Sequence, residues 1–169
     1  MILKAITLAG GLAGAGAAAQ FPEFSQQYTQ RLGGAVDALA AVVQDFDASA
    51  QASGLSRDQA LAQMVGSEFV THRRMDMEHV FTRHAQLSAD LQTLQSAGPF
   101  MRAYHAARFN DAQTAARTWQ AYRPAIPTNF AGASFGALGF LAGLTLTAAL
   151  MSGLGWPFRA LRRAREQAA

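Results

Sequence analysis

The chain has 169 residues, 50% of them hydrophobic, with a formal net charge of +3 and no cysteine. Without thiols there are no disulfides, thiolate metal sites or cysteine nucleophiles. Lys4 is its only lysine and acids balance the arginines of the middle, so a basic nucleic-acid-binding face is not expected. Charge is segregated along the chain. Residues 23–123 hold nine arginines and ten acids, residues 129–155 hold no charge, and the tail beyond holds four arginines and Glu166.

Residues 1–20 read as a first transmembrane helix. Lys4 precedes an Ala/Gly-rich apolar run, with small residues at Ala9, Gly10, Ala13 and Gly14. Such i,i+4 spacing lets a second helix approach closely, and Gly10 and Gly14 are the expected packing residues. A secretory signal peptide with an Ala-x-Ala end at Ala19 is the alternative.

Residues 21–127 read as a helical domain. Pro22 suits the first turn of a helix, where its missing N–H costs nothing, and Glu23 complements the dipole there. Tyr28, Leu32, Ala35, Leu39, Val42 and Phe46 then form a heptad seam. Gly33 and Gly34 weaken this helix by about 1 kcal/mol each relative to alanine, and it should fade at Ser53 and Gly54. Ser56 and Gln59 form a capping box for a short helix through Val65. Ser67 caps a longer one reaching about Ser96, with a seam at Val70, Met77, Val80, His84, Leu87, Leu91 and Leu94. Gly98-Pro99 ends it. Two short helices follow, over 100–109 and 111–122, the second capped by Asn110. Residues 123–127 are extended, because each proline disfavours the α region before it.

Residues 128–155 read as a second transmembrane helix, long enough for a bilayer core of about 30 Å. Gly132, Gly136, Gly139 and Gly143 give it a matching small-residue face. Residues 156–169 form a basic tail. Trp156 suits the headgroup level, and Arg159, Arg162, Arg163 and Arg165 suit a cytoplasmic anchor.

The expected fold is therefore an all-α membrane protein, with two transmembrane helices flanking an extracytoplasmic helical hairpin or small helical bundle. Lys4 and the arginine tail place both termini in the cytoplasm and the middle outside it, in the periplasm if the cell is a bacterium with two membranes. Chemistry-bearing residues are sparse. Glu68, His72, Asp76 and His79 share a helix face, and His72, Asp76 and His79 are the weak metal candidates. The plainer account of that face is a solvated row of i,i+4 charge pairs. His84 lies on the seam and His105 has no companion. No catalytic constellation and no cofactor-binding motif emerge. The expectation is a non-enzymatic protein needing no cofactor.

The run Gln20-Phe21-Pro22-Glu23-Phe24-Ser25-Gln26-Gln27-Tyr28-Thr29-Gln30-Arg31-Leu32-Gly33-Gly34-Ala35-Val36-Asp37, following a short first span, resembles the signature of a family of small proteobacterial inner-membrane proteins defined only as a domain of unknown function. The resemblance continues through Asp45-Phe46-Asp47, Gly54-Leu55-Ser56-Arg57, Gly98-Pro99-Phe100 and the segment 122–127. It implies location and architecture but no activity or site. The expected role is an accessory or assembly subunit of a larger inner-membrane complex, with the lipid bilayer and other integral membrane proteins, or a second copy, as partners. The alternative is a metal- or small-ligand-binding module on a membrane anchor.

Overall fold

A computed structural model describes residues 2–124, 126 and 128–166, with side chains as far as Gly153. Among the described residues there is no strand. The helices are α1 (Ile2–Ala19), α2 (Phe21–Ala52), α3 (Arg57–Gln63), α4 (Glu68–Ser96), α5 (Pro99–Tyr104), α6 (Ala112–Ala121) and α7 (Phe130–Glu166), with a 3-10 turn at Ala106–Arg108. They divide into two compact units, Met1–Glu23 with Arg123–Ala169, and Phe24–Tyr122.

In the first unit α1 packs along α7. Both helices are long and apolar enough to cross a membrane, α1 at the start of the continuous run Ile2–Ala52 and α7 through Phe130–Gly153. At about 1.5 Å per residue, α1 alone reaches roughly 27 Å. Its large side chains point outward: Leu3, Leu8, Leu12 and, on α7, Leu138, Leu141, Leu146 and Leu150 are exposed. In water that distribution is costly, whereas lipid favours it. The hydroxyls of Thr7, Thr145 and Ser152 within the spans turn back onto their own helices. Thr7 donates to Leu3 O at 2.9 Å and Thr145 to Leu141 O at 3.0 Å, which leaves no unsatisfied polar group facing hydrocarbon at those positions. Asn129 caps α7, accepting from Gly132 N at 2.7 Å, a cap that the apolar pattern did not signal. The helix runs on through Pro157 to Glu166. Trp156, Arg159, Arg162, Arg163 and Arg165 thus lie on its backbone, but their side chains are outside the described part. Ala125 and Pro127 of the expected extended segment are also outside it.

In the second unit α2 and α4 run antiparallel. Phe46 meets Phe81 with ring centroids 5.2 Å apart, while Gly33 faces Leu91 and Gln26 reaches the level of Leu94 through Arg102. Tyr28, Leu32, Val36, Leu87, Leu91 and Leu94 form the core, joined by Leu39, Phe109 and Ala115. Of the expected α4 seam Met77, Leu87, Leu91 and Leu94 are buried, while Val70, Val80 and His84 are half-buried. On α2 the seam shifts. Val36 and Val43 are buried where Ala35 and Val42 were expected, and Val42 is exposed. A straight α-helix drifts about 20° per heptad against a strict 3.5-residue repeat. Over the single heptad from Tyr28 to Val36 that is too little to move the stripe a whole position, so the choice of Val36 is set by the face that α2 turns to the core.

Local chemistry sets most helix ends. Gly54, at φ +71°, closes α2 in a Schellman motif: its N–H donates to Gln51 O at 2.9 Å and that of Leu55 to Ala50 O at 2.9 Å. Ser56 and Gln59 form the expected capping box, and Ser67 accepts from Val70 N. Helix α3 stops at Gln63, short of Val65, and the expected helix over 100–109 divides into α5 and the 3-10 turn. The cap of α6 is Asp111 in place of Asn110, with Asp111 Oδ2 accepting from Thr114 N at 2.9 Å.

The glycine pair does not break α2. A Cβ on Gly34 meets nothing within 4 Å, so Gly34→Ala should gain about 0.5–1 kcal/mol from helix propensity alone. Chemical denaturation of the purified protein reads this as a raised midpoint.

Candidate functional site

Two sites are built from convergent residues, one in each unit. In the first, glycines replace side chains where α1 and α7 cross. A Cβ on Gly14 would strike Gly139 O and one on Gly139 would strike Gly14 O and Ala18 Cβ. A Cβ on Gly143 would strike Gly10 O, and one on Gly10 would strike the Thr147 side chain. Helix backbones therefore touch directly, the geometry of small-residue membrane helix pairs. Gly136 sits at the same seam, 3.5 Å from Ala19 Cβ when given a Cβ of its own. Gly132 is buried at the capped start of α7. Gly11 also belongs to this contact, since a Cβ there would lie 2.8 Å from Phe140 Cε2 and 2.9 Å from Leu144 Cγ. The i,i+4 pattern missed it because Gly11 is neighbour to the pair, not a member of it. Phe21 and Phe135, with centroids 5.2 Å apart, pack in the same unit.

The second site is a polar groove of about 620 Å³ between α4 and the segment from the 3-10 turn to the start of α6. His79, Thr82, Arg83, Gln86 and Asp90 recur at helical spacing on one face of α4, and Arg108, Asn110 and Asp111 close the other side. Two ion pairs cross it. Arg83 Nη2 donates to Asp111 Oδ1 at 3.0 Å and to Gln113 Oε1 at 3.1 Å. Arg108 Nη1 donates to Asp90 Oδ1 at 2.8 Å. Asp90 is 5% exposed in its side chain while Arg108 is half exposed, so the arginine reaches down from the surface to neutralise a buried carboxylate. Arg83 Nε is buried and has no hydrogen bond within the protein.

Asp111 joins three elements. Its carboxylate caps α6 and pairs with Arg83, and its N–H donates to Tyr28 Oη at 3.3 Å. Partial burial works to raise its pKa, but hydrogen bonds from the Thr114 hydroxyl and N–H, with the charges of Arg83 and Arg117, outweigh it and hold the carboxyl below its ordinary value. A depressed folded value means that Asp111 stabilises fully above the unfolded carboxylate pKa of about 3.9 and loses that contribution as pH falls through the folded value. Asp111→Asn keeps the cap but removes the charge. Its thermal midpoint should therefore fall less steeply than that of the wild type below about pH 4. A series of melts across pH 3 to 7 on both proteins checks this (about the range in which carboxylates titrate).

The metal candidates are not brought together. His72 lies 3.7 Å from Glu68, Asp76 pairs with Arg73 at 3.0 Å, and His79 lines the groove. Among the described residues no three of His, Cys, Asp and Glu are grouped to hold a metal ion. The groove itself lay beyond sequence reasoning, since Asp90 with Arg108 and Arg83 with Asp111 are pairs formed between distant segments.

These features define an all-helical protein with two candidate membrane-spanning helices in a glycine-packed pair and a separate helical unit bearing a salt-bridged groove. Residues 2–160 match the family described as "Protein of unknown function (DUF2937)", and the chain belongs to it. Neither a curated protein nor a solved structure matches the chain.

Proposed function

We propose that the protein is a non-catalytic, membrane-anchored interaction protein, an accessory or assembly subunit of a larger complex in the bacterial inner membrane. In this reading α1 and α7 cross the bilayer, both termini lie in the cytoplasm, and residues 24–122 stand in the periplasm. Lys4 and the arginines after residue 155 support that orientation by the positive-inside rule.

The observation that carries the interaction reading is two exposed apolar side chains where the chain passes from α3 into α4, Val65 in the turn and Phe69 in the first turn of α4. Val65 is 64% exposed and Phe69 72%. They flank Gly66, whose φ of +121° fixes the turn. Large exposed apolar groups held on ordered backbone suit contact with another protein. Extraction in a mild detergent should retain a larger complex, and Phe69→Ser should release the partner while leaving the protein folded. A lone protomer at every concentration, in native detergent, refutes the reading. A reporter fused after Arg165 that is active only outside the cytoplasm refutes the orientation.

A second reading, a small-ligand-binding module, is supported by the polar groove that Arg83, Asp90, Arg108 and Asp111 line, beside which Arg83 Nε is a buried donor with no hydrogen bond within the protein. Native mass spectrometry of the purified protein should then show a bound polar molecule that is lost in Arg83→Met. Metal as the ligand predicts stoichiometric metal in elemental analysis, reduced in His72→Ala and His79→Ala. Equal substoichiometric metal in all three proteins rejects it.

A further inference from the structure

Six large apolar or aromatic residues gather at one end of the second unit, and the chain enters and leaves the unit among them. Phe24 and Tyr122 are its first and last residues, and their rings meet edge to face with centroids 5.7 Å apart. Trp119 completes the cluster, 6.2 Å from Phe24 and stacked on Tyr122 at 6.4 Å. The neighbouring α5 adds Phe100, Met101 and Tyr104, all exposed. It is fixed at this level by Arg102, which donates to Leu94 O at 2.9 Å and to Gln26 Oε1 at 3.1 Å.

Trp119 and Tyr104 stand largely outside the unit's own packing. On α6 it is Thr114, Ala115 and Thr118 that turn inward, whereas Trp119 is 72% exposed and Tyr104 79%. An indole and a phenol, each with an apolar body and one polar tip, suit a boundary between hydrocarbon and water. Chain connectivity says which boundary. Phe24 follows closely on Ala19, the last residue of α1. At a limit of about 3.5 Å per residue it stays within roughly 18 Å of that helix end. The exposed Arg123 follows Tyr122 directly, and a cation there suits lipid phosphates.

We infer that this aromatic end is seated in the headgroup layer of the bilayer that α1 and α7 cross, with Trp119 as its principal anchor. The inference rests on reading α1 and α7 as membrane spans. It adds a lipid contact for Trp119 that the spans alone do not require.

The test uses the full chain reconstituted into vesicles of phosphatidylethanolamine and phosphatidylglycerol. Two tryptophans are present, so the difference between wild type and Trp119→Phe isolates the Trp119 emission. Lipids brominated near the headgroup end of the acyl chain should quench that component about twofold or more, and lipids brominated at the chain terminus should quench it less. Aqueous iodide should quench it severalfold less than it quenches free tryptophan. If the protein floats with the vesicles and Trp119 is open to iodide but untouched by brominated lipid, the inference is overturned while the spans stand. If neither quencher reaches Trp119, protein covers it, and the inference is again overturned. If the protein does not float with the vesicles, the reading of the spans fails and the inference with it.

Discussion

Leucine at position 139 separates α1 from α7. A Cβ there already strikes the Gly14 carbonyl and Ala18, and backbone does not yield as a flexible side chain does. The cost is expected at or above about 3 kcal/mol, the upper end of ordinary overpacking. The chain supplies a clean assay because it has no native cysteine. A Cβ on Gly136 lies 3.5 Å from Ala19 Cβ, within the span of about 3.5–4.5 Å that a disulfide bridges. Ala19→Cys with Gly136→Cys should therefore cross-link nearly completely under mild oxidation, seen as a mobility shift reversed by reductant. Adding Gly139→Leu should reduce the cross-linked fraction severalfold. Adding Gly16→Leu should not, since a Cβ on Gly16 meets nothing within 4 Å. Equal cross-linking in all three backgrounds would show that the glycine seam does not hold the helices together.

Arg108→Ala should be the most destabilising single change on the surface of the second unit. It deletes a half-exposed side chain, yet it strands the carboxylate of Asp90, which is 5% exposed. Leaving a buried charge without its partner costs about 2–3 kcal/mol or more. For a unit of this size that corresponds to a drop in melting temperature on the order of 10 °C. Asp90→Asn in the same background should recover part of the loss, because the unpaired group is then neutral. The double-mutant cycle over positions 90 and 108 measures the coupling directly. Additive effects would mean that the pair contributes nothing, as many exposed pairs do.

Helix punctuation was legible in the sequence because it is local. Ser56, Ser67, Gly54 and Gly98-Pro99 each act on backbone groups within a few residues, so residue type and position suffice. The α4 stripe was legible for a similar reason, since its apolar residues leave one face to choose. On α2 the runs Ala35-Val36 and Val42-Val43 offer two adjacent apolar positions. Only the partner helix decides between them, and it takes Val36 and Val43. The glycine face of the spans could be read from spacing, but which backbone atoms meet depends on the crossing point. The groove was illegible throughout. Asp90, Arg108, Arg83 and Asp111 look like ordinary surface charges until the short segment after α5 folds back over α4. Asn110 and Asp111 are equally good caps by residue type, and the contact with Arg83 and Tyr28 selects the second.

The threefold engagement of Asp111 has a bearing on how the second unit comes apart. Helix α6 has ten residues, too few to persist alone in water. Its start is fastened by one residue that is also tied to α2 and to α4. Breaking that junction releases all three attachments together, so α6 should not fray independently of its neighbours. Its amide protons should exchange with solvent at the rate set by opening of the whole α2–α4 pair, and the segment belongs with the last parts of the unit to yield.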